Sequence, residues 1–210
     1  MLRFYISFLI FACTLSAFAQ NGHPLSKTDN DNINKMEGYI DFQLKTGEQI
    51  PFFLGQNVST LSYYNTWEDY LSGTRYRIDI DFPEPAHIYL ISSDKSNHIY
   101  LNYPDPVDTN YISGCNTNHI VLPDNSSWYE MDEVKGIDYL CFLFSKYPID
   151  IRRILLKMEE SRGSFYDKVV TGLEGLSCEK DDVRYVMNTI GFSARTDRTI
   201  TPVFVEIKHK

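Results

Sequence analysis

The stretch Arg75–Phe82, RYRIDIDF, decides the fold. Tyr76, Ile78, Ile80 and Phe82 fall on one side of an extended chain, and Arg75, Arg77, Asp79 and Asp81 on the other. Successive side chains of a strand point to opposite faces. Strict alternation therefore predicts an antiparallel sheet with one face in a core and one in water. Arginine and aspartate on the wet face can pair across strands, each pair contributing a few tenths to about 1 kcal/mol. Pro83 and Pro85 lack the N–H a ladder needs, so the strand is expected to end there.

Downstream, HIYLIS and HIYLNYP flank the polar turn Ser93–Asn97 and predict a hairpin. Further short strands are expected at Tyr111-Ile112 and at Ile120–Leu122. Tyr139–Phe144, YLCFLF, is apolar throughout and predicts an interior strand. Upstream, YIDFQL and IPFFL around Thr46-Gly47-Glu48 predict a weak hairpin. Trp67, Tyr70 and Leu71 share helical spacing and allow one short helix.

The period changes after Pro148. Ile151, Ile154, Leu155 and Met158 form the apolar stripe of an amphipathic helix, with Pro148 in its first turn and Gly163 at its end. Ser164 and Asp167 have capping-box spacing for a second helix striped by Phe165, Val169 and Leu173. The tail returns to strands, Val183–Ala194 and Thr199–His209, around Arg195–Arg198, which reads as a hairpin loop. The expected fold is mainly β: an antiparallel β-sandwich, Ig-like or open-barrel-like, with an inserted pair of short α-helices near residues 148–174.

The sequence has 210 residues, a formal charge of −8, 15 Tyr and 13 Phe. An acidic chain without a Lys/Arg cluster argues against nucleic acid and anionic membranes as partners. Arg3, the apolar run Phe4–Ala12 and Ala17-Phe18-Ala19 form a signal-peptide pattern cleaved after Ala19. Cys13 in IFAC offers a lipoprotein alternative, for which the preceding apolar run is short. Residues 1–19 are thus expected to be a signal peptide, 20–36 a flexible leader and 37–210 a single domain, exported to the periplasm or beyond. No later stretch is long and apolar enough for a transmembrane helix. Cys115, Cys141 and Cys178 then allow one disulfide at most and provide no disulfide framework.

The chemical candidates are weak. Cys141 sits between apolar neighbours, where burial opposes the thiolate a nucleophile needs. Ser145 and Lys146 are adjacent on an extended segment and point to opposite sides, so Ser145 reads as a turn or helix cap. Cys115 and His119 have C-x3-H spacing but lack two further ligands at motif spacing, and His87 with His98 could meet across the predicted hairpin. No metal or cofactor is expected. Asp79 and Asp81 read as a solvated sheet face. The aromatics Tyr63, Tyr64, Trp67, Tyr103, Tyr111, Trp128 and Tyr129 fall in or near loops, where clustered rings can stack on sugars or peptides, and Trp67, Tyr103, Tyr111, Trp128 and Tyr129 are the candidate ligand-binding surface.

The elements GTRYRIDIDF, HIYLIS…HIYLNYP, ISG, IVLP and GIDYLCFLFSKYPID, in that order, resemble a large bacterial domain family of unknown function. Tyr103-Pro104, Gly136 and Ser145-Lys146-Tyr147-Pro148 stand at its punctuation points. The family is often appended to caspase-like peptidases or protein kinases and occurs in exported Bacteroidetes proteins. The resemblance covers about residues 73–150. It implies a β-sandwich-like accessory domain with no known catalytic residues to carry over. No peptidase or kinase domain lies within these 210 residues.

The expected function is an exported, non-catalytic binding or protein-interaction module of the cell envelope, with a protein or glycan partner. An envelope hydrolase using Asp/Glu or Cys141 is the alternative, and a structural envelope protein a further one.

Overall fold

The computed structural model describes residues 34–56, 61–105, 117–123 and 127–210. Along the described chain run β1 (Asn34–Leu44), β2 (Phe52–Gln56), β3 (Ser62–Thr66), β4 (Arg75–Ser93), β5 (Tyr100–Tyr103), β6 (Thr117–Leu122), β7 (Tyr129–Glu130) and β8 (Gly136–Ser145). Helices α1 (Ile151–Glu160) and α2 (Phe165–Gly172) follow, then β9 (Val183–Tyr185), β10 (Ile190–Thr196) and β11 (Ile200–His209). Signal peptide, leader, Tyr111 and Cys115 lie outside the described residues, apart from the leader's last three, Asn34–Met36, which open β1.

The RYRIDIDF alternation holds, with Tyr76, Ile78, Ile80 and Phe82 buried. The strand does not stop at the prolines. β4 continues for 19 residues and bends through Pro83–Pro85. Its pairs with β1 end at Asp81 and its pairs with β8 begin at His87, so the two prolines sit where no register claims their missing N–H. The bend lets one strand serve two sheets. Its first half pairs β1, β6 and β7, and β10 and β9 extend that sheet beyond β1. Its second half pairs β8 and β5, and β11, β3 and β2 extend the other sheet beyond β8.

The two sheets enclose a core that includes Ile40, Phe42, Ile78, Ile80, Phe142, Phe144, Phe192 and Val205. α1 and α2 cover the opposite face of the second sheet, through Ile151, Ile154, Met158, Phe165 and Val169 against Tyr89, Cys141, Leu143 and Phe204. A strand buried on both faces needs no alternation. This is why YLCFLF is apolar throughout: Leu140, Phe142 and Phe144 enter one core, Cys141 and Leu143 the other. The open edges approach each other. Leu54 N–H donates to Met187 O at 3.2 Å, and the buried Tyr64 hydroxyl lies 2.6 Å from Gly191 O and 2.9 Å from Val186 O. The result is a sandwich close to a barrel, with two short helices, as the sequence predicts.

Several local expectations are corrected. One strand pair, β3 with β11, is parallel. Residues 67–72 form no helix, since Trp67 packs on Phe53 while Tyr70 N–H bonds Lys208 O beside β11. The YIDFQL turn forms, with Ile50 N–H donating to Phe42 O, but its second arm departs to pair with β3. Val183–Ala194 splits into β9 and β10. β10 and β11 are no hairpin; the loop between them crosses from one sheet to the other. α1 starts at Ile151 with Asp150 as its N-cap, accepting from Arg153 N–H, so Pro148 lies before the first turn, and Ser161 rather than Gly163 is the C-cap. The HIYLIS–HIYLNYP hairpin is present as β4–β5.

Among the described residues, no helix is long and apolar enough to cross a membrane. The capping box of α2 forms as predicted, Ser164 accepting from Asp167 N–H and Asp167 from Ser164 N–H. Ser164→Ala is expected to cost about 1 kcal/mol, measured by chemical denaturation.

Candidate functional site

The nucleophile candidates are engaged as structure. Cys141 is fully buried, and burial pushes its thiol well up from the ordinary value. Ser145 is buried and closes a turn, donating to Tyr147 O at 2.7 Å and accepting from Tyr147 N–H at 3.2 Å. Lys146 points away and pairs with Glu84 at 3.2 Å.

Among the described residues, the candidate aromatics fall on both sheets and form no single surface. Trp67 stacks on Phe53 at the β2–β3 edge, 4.9 Å between centroids. Tyr103 lies on β5, opposite Leu90. Trp128 lies under the Arg77 guanidinium at 4.3 Å, and Tyr129 packs on Tyr76 at 5.7 Å on the other sheet. Burial pushes the Tyr129 phenol up to about 12. Tyr111 lies outside the described residues.

His87 pairs with Ser145 on β8, while His98 lies in the turn before β5, so the two are not cross-strand neighbours. His119 meets carboxylates instead. Its Nε2 lies 2.8 Å from Asp79 Oδ1 and 4.0 Å from Asp81 Oδ1. Asp41 lies opposite Asp79 on β1, and burial, then Asp79 and Asp81, push its carboxyl up. Like charges directly opposite destabilise a sheet, and His119 lies beside them on β6. One imidazole and two carboxylates are the donors of an open divalent-cation site, here on the solvent side of the sheet with Asp79 half-buried and the imidazole held by Asp79.

A second group is formed by Ser72, His209 and Asp138. His209 Nδ1 lies 3.3 Å from Asp138 Oδ2, and Nε2 lies 3.4 Å from Ser72 Oγ, the connectivity of a hydrolytic triad. Its closer Nε2 partner is Asp132 O at 2.9 Å. An Nε2–H that donates to a carbonyl is not a base toward serine. The backbone N–H groups of Ser72, Gly73 and Thr74 are also taken, by Lys210 O, Met131 O and Leu71 O, so none is turned toward an oxyanion.

The third group is built on β11. Its sequence VFVEIK places one charge inside an apolar run, the signal that sequence reading passed over. Glu206 sits between Tyr139 on β8 and Asn65 on β3, facing the helix layer. Tyr166 of α2 donates to its Oε1 at 2.7 Å, and Asn65 Nδ2 donates to Oε2 at 3.4 Å. Asn65 Oδ1 is buried without a hydrogen-bond partner. The rings of Tyr63 and Tyr139 flank Tyr166, with centroids 6.1 and 5.9 Å away, and all three are half-buried. Tyr139 and Tyr166 also wall a cleft of about 350 Å³ with Lys95, Ile137 and Phe165.

Glu206 is 8% exposed and has no ion-pair partner among the described residues. Burial pushes its carboxyl up, opposed by the Tyr166 hydrogen bond and by Lys208, two positions on along the strand. Burial, and then Glu206 itself, pushes the Tyr166 phenol up, so Tyr166 remains a donor. A folded-state value raised above the ordinary 4.5 means that the folded chain holds the extra proton. Stability is then greatest below that value and is lost as pH rises through the raised one. Glu206→Gln keeps an acceptor for Tyr166, removes the buried charge and can donate to Asn65 Oδ1. It is expected to be about 1 kcal/mol more stable than the wild type at pH 7, with the difference shrinking toward pH 4 in denaturation curves.

No known protein family, curated protein or solved structure matches this chain.

Proposed function

We propose that this chain is a non-catalytic binding module of the cell envelope, and that it contacts its ligand at the tyrosine-walled niche over Glu206. The observation that carries the reading is a carboxylate kept in a half-closed aromatic site with no basic partner, although glutamine would satisfy the same neighbours better. A group held against stability is a candidate for function. Two tyrosines shared with an adjoining cleft give a ligand rings to stack on. Export rests on the Arg3–Ala19 pattern and is tested by N-terminal sequencing of the secreted chain. The binding reading is tested on glycan and peptide arrays with the wild type and Tyr139→Ala. Ligands retained by the wild type and lost by the variant support it; ligands retained equally by both overturn it, and so does an array without a binder.

A hydrolase is the second reading; it requires His209 Nε2 to leave Asp132 O for Ser72 Oγ, 3.4 Å away, with Asp138 on Nδ1. Ester and peptide hydrolysis that disappears in Ser72→Ala would establish it. Activity unchanged in Ser72→Ala and Cys141→Ala would remove both nucleophiles.

A further inference from the structure

We infer that the niche formed by Tyr63, Tyr139, Tyr166, Asn65 and Glu206 takes a basic side chain, lysine or arginine, from a partner polypeptide. The inference rests on the binding reading above and adds the chemistry of the ligand.

The argument is an accounting of donors and acceptors. Glu206 offers two oxygens; one is well bonded by Tyr166 and the other only by Asn65 at 3.4 Å. Asn65 Oδ1 adds a buried acceptor with no donor at all. A buried acceptor left unsatisfied is unfavourable, so a ligand that brings donors recovers that loss. The niche is therefore short of N–H groups. An ammonium brings three and a guanidinium five, and neither brings an acceptor.

The walls agree with the floor. Three tyrosine rings stand around the carboxylate, and the negative face of an aromatic ring attracts a cation. The rings also shield the pair from water, which strengthens a charge-assisted hydrogen bond. Lys208 lies on the same strand and lowers the Glu206 carboxyl only through space, forming no ion pair with it. A chain with a formal charge of −8 draws a basic partner at long range. Tyr63, Tyr139 and Tyr166 are half-buried and so reach the surface above Glu206, and the cleft beside Tyr139 and Tyr166 has room for the backbone that carries the side chain.

The test titrates the full chain with capped Gly-Lys-Gly, Gly-Arg-Gly and Gly-acetyllysine-Gly, followed by NMR of the tyrosine rings. The expected result is saturable binding of the lysine or arginine peptide and at least tenfold weaker binding of the acetylated one. Glu206→Gln should weaken the basic peptide at least tenfold, while Asp79→Asn with Asp81→Asn, on the other sheet, leaves it unchanged. Thermal melts confirm that each variant is folded; Tyr166→Phe supplies a second probe if Glu206→Gln is not. Equal binding of the lysine and acetyllysine peptides, lost in Tyr139→Ala, overturns the cation assignment while leaving the niche as the ligand site. Binding that survives Glu206→Gln, or no binding of any peptide, overturns the inference; ligands found on the arrays and lost in Tyr139→Ala would still uphold the binding reading.

Discussion

Phe144→Ala is expected to lower stability by about 3–5 kcal/mol and the melting temperature by roughly 10 °C. Phe144 is fully buried on β8 and joins the two sheets. Its ring lies 4.6 Å from that of Phe192 on β10 and 6.2 Å from that of Phe82 on β4. Gly38 of β1 gives them room, since a Cβ there would lie 2.9 Å from the Phe192 ring and 3.3 Å from Phe144. Truncation leaves a cavity bounded by three strands of the opposite sheet, which cannot all move inward. Leu156→Ala, on the exposed side of α1, is the control and should change stability by about 0.5 kcal/mol or less. Equal effects of the two variants in chemical denaturation would contradict this packing.

His209→Ala is expected to cost about 2–4 kcal/mol. The buried imidazole joins three segments, meeting Asp138 on β8, the carbonyl of Asp132 and the hydroxyl of Ser72. Without it the Asp132 carbonyl loses its partner. Burial already pushes the Asp138 carboxyl up, and His209 is what opposes that push. In the variant the carboxyl should rise further, so stability lost on raising the pH through that range should increase. Ser72 is exposed, and Ser72→Ala should leave the melting temperature within about 1–2 °C of the wild type. A structural role for His209 therefore gives a large loss in one variant and almost none in the other. A catalytic role would instead abolish turnover in both.

The proposed site was less legible than the fold. Trp67, Tyr103, Trp128 and Tyr129 each stand near a loop, yet they have different neighbours, because nearness to a loop says nothing about which strand the loop returns to. Asn65 and Glu206 are 141 positions apart and meet only because β3 runs parallel to β11. A parallel pair is made by a long crossing connection, and short sequence windows carry no trace of it. The same holds for His119, whose spacing points to Cys115 but which β6 places beside Asp79 and Asp81. Pro83 and Pro85 show the limit of a local rule: a missing N–H ends a ladder only where a neighbour asks for that N–H, and at the bend of β4 none does.

By itself the sequence determined what depends on near neighbours. The wet and dry faces of RYRIDIDF, the interior character of YLCFLF, the stripe of α1 and the capping box of α2 all follow from side chains one to four positions apart. The tertiary structure decided the partners: one strand shared by two sheets, a loop that crosses between them, and a lone glutamate brought under three tyrosines from β3, β8 and α2. The physical reason is that periodicity records how wet each face of an element is, while the identity of the covering element is set by chain closure over long separations, which leaves no period to read.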